Sequence, residues 1–156
     1  MVELELLGVS QSPEQHHPLV LLRHENRVLP ILVGLPEARA IQAGLMEEKP
    51  PRPMTHDLIR NVLAGLRGEV RSVTIYKLEN DTFYAHLNVE QKNAAGLVEQ
   101  VLRIDSRPSD GIAIAVRVNC PILASEEVME IAGQDASILG GPEDEDDEDE
   151  DSDFDS

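Results

Sequence analysis

Two stretches of this chain carry more polar chemistry than a fold requires: "PRPMTHDL" at 51–58 and "DSRPSDGIAIAVR" at 105–117. Each holds an Arg-Pro pair followed by a hydroxyl residue and an aspartate where a helix should begin. A residue before proline is held extended, so Arg52 and Arg107 sit just ahead of the turn. Helix N-termini offer free N–H groups and positive potential, and a guanidinium fork matches phosphate. Arg52 and Arg107, with the hydroxyls of Thr55 and Ser109, are therefore the candidate substrate-binding set for an anion such as a phosphodiester. His56, Asp57 and Asp110 are the candidate catalytic set. His56 would be disfavoured as a cation in a first helical turn, and a neutral imidazole can act as a base or a metal ligand. Asp57, Asp105 and Asp110 are the candidate metal ligands, with Glu37 in reserve, because converging carboxylates hold Mg²⁺ or Mn²⁺ and orient water.

The same residues have a plainer explanation. Thr55 and Ser109 are expected N-caps, and Asp57 and Asp110 are expected first-turn acids. Arg52 and Arg107 would then pair with those acids and tie two parts of the chain together. Capping leaves His56 unexplained.

No other motif competes. His16, His17, His24 and His86 form no HExxH, HxH or CxxC pattern. There is no GxxxxGK[ST] loop, GxGxxG turn or GxSxG elbow, so no nucleotide cofactor is expected. The single cysteine, Cys120 in "RVNCPIL", reads as a small buried hydrophobe rather than half of a disulfide.

The net charge of −17 is uneven, since residues 143–155 hold 11 acids and no base. The body keeps 13 bases against 19 acids, net −6, the wrong sign for a nonspecific nucleic-acid binder. The acidic run repels itself and has little to bury, so residues 135–156 are expected to be a disordered tail behind a domain at 1–134. That tail would solubilise the protein, mimic a nucleic acid or dock a basic partner. No apolar run approaches 18 residues, which with no leader-like start predicts a soluble cytoplasmic protein without a membrane partner.

The elements that must position the polar segments follow from periodicity. "VELELLGVS", "PLVLLRHE" and "RVLPILVG" read as strands, with Pro30 marking an edge or a bulge. "LPEARAIQAGLMEE" and "THDLIRNVLAGLRG" read as helices, the second capped by Thr55 and stopped by Gly68. "EVRSVTIYKLE", "DTFYAHLNVE" and "LVEQVLRID" then repeat the strands, and "PSDGIAIAVRV" and "SEEVMEIA" repeat the helices. A shift of 73 positions lays Val28, Leu29 and Ile31 on Val101, Leu102 and Ile104, and Glu37 on Asp110. After a gap of three, Thr55, Asp57 and Leu58 fall on Ser125, Glu127 and Val128. The expected fold is α+β: a duplicated strand–strand–strand–helix–helix unit whose mixed, mostly antiparallel sheet packs with helices.

In this order, "RVLPILVG", "EARAI", "PRPMTHDL", "TFYAHL", "DSRPSDGIAIAVR" and "PILASEEVMEIAG" resemble the bifunctional nuclease domain family over about Met1–Gly133. The resemblance implies this α+β fold, homodimers or higher homo-oligomers, and hydrolysis of RNA or DNA. It carries over Arg52, Thr55, His56, Asp57 and Leu58, and Asp105, Arg107, Pro108, Ser109 and Asp110. The family usually has Ala where this chain has Gly111. The alternative is a non-catalytic oligomeric module that binds an anion or a partner.

Overall fold

Strong alternation of apolar and charged residues makes the first strands half-buried ribbons. In the computed structural model, which describes residues 1–11, 17–137 and 139, β1 (Val2–Ser10), β2 (Leu19–His24) and β3 (Arg27–Leu32) form an antiparallel meander. Helices α1 (Leu35–Leu45) and α2 (Thr55–Gly65) follow. A second meander comprises β4 (Gly68–Glu79), β5 (Thr82–Lys92) and β6 (Val98–Ser106). Next come α3 (Pro108–Val118), β7 (Ile122–Ala124), α4 (Glu126–Ala132) and β8 (Gln134–Asp135). One sheet in the order β6-β5-β4-β7-β1-β2-β3-β8 joins all strands, and only β4 and β7 run parallel. The fold is the expected α+β class with a mixed, mostly antiparallel sheet.

The duplication is visible in the elements. Advancing α1 by 73 positions gives the bounds of α3, and β3 falls within β6. The symmetry fails at the centre, because β7 joins the meanders by pairing with β1 and β4. Its counterpart in the first half is "PPRPM", whose prolines cannot donate to a ladder. Periodicity did not reveal β7 or β8, because three- and two-residue strands carry no pattern of their own.

The core lies between the sheet and α1 and α3, with Val20, Leu22, Leu29, Ile41, Val73, Ile75, Ile112 and Ile114 almost wholly buried. Helix α3 has to approach closely: a Cβ at Gly111 would fall 2.7 Å from Val73 Cγ1. Cys120 packs against this core, and burial pushes its thiol up to about 11. Pro30 lies at an edge, since β8 pairs with β3 only at Arg27 and Val28. The folded chain also passes position 134. Asp135 is in β8 and the Ala136 N–H donates to Asn26 O. The acidic run at 143–155 lies outside the described residues. Among those described, no helix is long and apolar enough to cross a membrane.

Candidate functional site

Both polar segments fold as helix starts, but not with the expected caps. Met54, not Thr55, is the N-cap of α2, because the Asp57 carboxylate reaches back and accepts the Met54 N–H at 3.0 Å. That reciprocal bond from the third helical position fixes the boundary one residue early. Thr55 is the first helical residue and is exposed. For α3 the cap is Arg107, because Pro108 presets the first helical φ; Ser109 is therefore helical and buried. The stop of α2 also shifts. The helix ends at Gly65, the left-handed residue is Arg67 (φ 60°), and Gly68 opens β4. Ser125 does cap α4 as expected, accepting from the Val128 N–H at 3.1 Å.

The start of α2 meets α3 through two ionic links. His56 Nε2 donates to Asp110 Oδ1 at 2.8 Å across 54 positions of sequence. Arg107 grips the same carboxylate, with Nε on Oδ2 at 2.9 Å and an Nη on Oδ1 at 3.3 Å. The result is an imidazole–carboxylate–guanidinium chain. Because an ionised Asp110 can only accept, Nε2 carries a proton, which leaves Nδ1 as the lone pair of the neutral tautomer. Burial raises Asp110's pKa, but the bonds from Arg107 and His56 outweigh it and hold the carboxyl below its usual 3.8.

In the second link, Arg117 Nε donates to Asp57 Oδ1 at 2.8 Å, with the arginine side chain only 7% exposed. Its Nη1 donates to Ala40 O at 3.0 Å and Ala113 O at 2.7 Å, so one guanidinium ties α1, α2 and α3. Gly44 of α1 leaves room for it, since a Cβ there would collide with Val116 and lie 2.8 Å from Arg117 Nη1. Burial raises Asp57's pKa, while the Met54 N–H and Arg117 lower it further, and the net direction is down. Asp57 and Arg117 line a cavity of about 500 Å³ together with Lys49, Arg60 and Asn61.

The structure thus brings His56, Asp57, Arg107 and Asp110 to one junction. Glu37 stands near Arg107 across a second cavity of about 380 Å³, which Ser109 also lines. Arg52 is exposed on the connection before α2 and makes no side-chain hydrogen bond or ion pair among the described residues. Asp105 is elsewhere, on the sheet face away from the helices: its β6 neighbours Leu102 and Ile104 pack into the core, and Asp105 points the other way. Among the described residues no three His, Cys, Asp or Glu side chains converge on one point. Asp57 has each oxygen taken by a donor, and Asp110 is held by Arg107 and His56. This donor set does not fit Mg²⁺ or Mn²⁺ at Asp57, Asp105 and Asp110. The residue that the sequence reading missed is Arg117. It ends the second motif, but its position in the last turn of α3 already satisfies the helix dipole, so nothing in the sequence asked for a partner.

The bifunctional nuclease domain model matches residues 19–137. The chain belongs to the bifunctional nuclease domain family. It is 39% identical over 135 residues to an uncharacterized protein of Mycobacterium tuberculosis, covering 85% of this chain and 77% of that one. It is 28% identical over 115 residues to bifunctional nuclease 1 of Oryza sativa subsp. japonica and over 109 residues to bifunctional nuclease 1 of Arabidopsis thaliana. Those matches cover 72% and 68% of this chain but only 34% and 33% of the plant proteins. The family domain contains the whole His56–Asp110–Arg107 junction. It leaves out β1, although β1 supplies the ladder that joins the first meander to β7.

Proposed function

We propose that the α2–α3 junction hydrolyses phosphodiester bonds of single-stranded RNA or DNA. The observation that supports this is the bond from His56 to Asp110 and on to Arg107, which joins the two motifs into one constellation. Asp110 fixes the imidazole tautomer, as a carboxylate does for a general-base histidine. His56 Nδ1 takes the proton of a water, whose oxygen bonds to phosphorus as the ester P–O bond breaks. The departing oxygen takes its proton from solvent. Arg107, 65% exposed, turns its remaining N–H groups to the phosphate, with Arg52 as a second cation. Thr55 and Ser109 lie beside these residues. Asp57 holds the start of α2 in place through Arg117. A divalent cation has no part in this reading, because Asp57 and Asp110 are paired with arginines and His56, and Asp105 lies on the other face of the sheet.

The reading includes a cytoplasmic homo-oligomer. Helix α2 buries none of its residues fully, and Met54, Leu58, Val62 and Leu66 leave an exposed apolar stripe that a second copy would cover. A second reading, a non-catalytic anion- or partner-binding module, is favoured by the closure of the ion pairs, since a network so fully paired also serves as a lock.

Labelled single-stranded RNA and DNA, incubated with wild type, His56→Gln and Asp110→Asn in Mg²⁺, Mn²⁺ or EDTA, separate these readings. We expect cleavage that persists in EDTA and falls at least a hundredfold in His56→Gln. Cleavage abolished by EDTA would return the work to a metal, and no cleavage in any lane would leave the binding module.

A further inference from the structure

A cavity of about 590 Å³ lies on the opposite face of the sheet. Thr74 and Tyr76 of β4, His86 and Asn88 of β5, and Arg103 and Asp105 of β6 line it, with Met1. The Tyr76 and His86 rings are 4.9 Å apart at 36°, and Tyr84 continues the row at 6.4 Å from Tyr76. These three are aromatic or heteroaromatic side chains on adjacent strands. Burial and the nearby Arg103 lower the His86 pKa, which favours the neutral ring. Asn88 is fixed by donating to Ser72 and Thr74 hydroxyls at 2.8 and 2.9 Å. Arg103 and Asp105, two apart on β6 and so on one face, make no side-chain hydrogen bond or ion pair among the described residues.

The duplication supplies an internal control. At the shift of 73, Arg103 and Asp105 correspond to Pro30 and Leu32, which can neither donate nor accept through a side chain. The polar set therefore belongs to this half of the sheet and does not follow from the repeated architecture.

We propose that this tray holds a guanine base of the same single strand whose phosphate lies at Arg107. The inference rests on the phosphodiester reading above. A flat base stacks on the Tyr76–His86 surface, as bases do on exposed aromatic side chains of sheets. Guanine alone offers acceptors at O6 and N7 for an arginine fork and N–H donors at N1 and N2 for a carboxylate. Adenine would set its N1 lone pair against Asp105. The connection to the helix side is short. Arg107 is two residues after Asp105, and β6 is the terminal strand of the sheet, so a strand can pass around its edge.

The test is equilibrium binding of GMP, AMP and CMP, read by tyrosine fluorescence, since the chain has Tyr76 and Tyr84 and no tryptophan. Matched oligonucleotides with one G or one A are compared in His56→Gln, which prevents turnover. We expect GMP to bind about tenfold tighter than AMP. Asp105→Asn should erase that preference and Tyr76→Leu weaken both, with melting temperatures unchanged. The G-containing oligonucleotide should show the same preference. Equal binding of GMP and AMP, or binding of neither, overturns the inference even if wild type cleaves RNA. GMP selectivity without oligonucleotide selectivity makes this a free-nucleotide site and overturns the link to the strand. Selective oligonucleotide binding without any cleavage sustains the subsite and removes the hydrolysis reading.

Discussion

Arg117 carries more of the junction than its place in the sequence suggests. Replacing it by methionine keeps bulk but leaves the partly buried Asp57 carboxylate without its cation, which costs about 1–3 kcal/mol. Thermal or urea unfolding of Arg117→Met should show a loss of that size, partly recovered in Arg117→Met/Asp57→Leu. The acids also set an acid limit. Asp57 and Asp110 have folded pKa values held below 3.8, so unfolding must take up protons as pH falls. Their contribution is fully present above about pH 4 and is lost as pH drops through the depressed folded values. Stability measured from pH 6 to 2 should fall more steeply below pH 4 in wild type than in Asp57→Asn. At this scale the sequence singled out His56, Asp57, Arg107 and Asp110 but not whom they meet. His56 stood out because capping did not need it, and its partner Asp110 was already in the candidate set. The pairing of Asp57 with Arg117, 60 positions away, depends on how α2 crosses α3, which no spacing encodes.

Elements show the same division. Long periodic segments were readable: β1, α1 and α3 form where their patterns place them. The caps of α2 and α3 were not, because a side chain three residues on, or a proline at the first position, moves a helix boundary by one or two residues. Gly111 illustrates packing that propensity cannot report. On helix propensity alone, alanine would be better there by about 1 kcal/mol. Its Cβ would instead press on Val73, and overpacking of this kind costs about 1–3 kcal/mol. Gly111→Ala should therefore lower the melting temperature, and Val73→Ala in the same chain should reverse the sign of that substitution. On α2, Leu58→Glu with Val62→Glu replaces exposed side chains, so each protomer should keep its stability within about 0.5 kcal/mol. Sedimentation should then show a shift towards monomer.

At the scale of the molecule, the duplication was visible in the sequence as a shift of 73, and it predicted the paired meanders and helices. It could not show the centre, where the copies differ: prolines in one half, "ILA" in the other. The 11 acids at 143–155 repel a polyanion such as a nucleic acid. Repulsion of this kind is screened over roughly 10 Å at 0.1 M salt. A chain stopped at Pro142 should bind or cleave nucleic acid better than the full chain at low ionic strength, and the two should converge as salt rises. The place of β7 has a consequence for synthesis. The first meander and α1 and α2 are complete by residue 65, yet β1 has no neighbour on its free side until residues 122–124 emerge. A nascent chain therefore leaves the ribosome with an open strand edge, the kind that pairs with strangers. Ribosome-bound fragments ending before residue 122 should engage a chaperone, and those extended beyond it should let go.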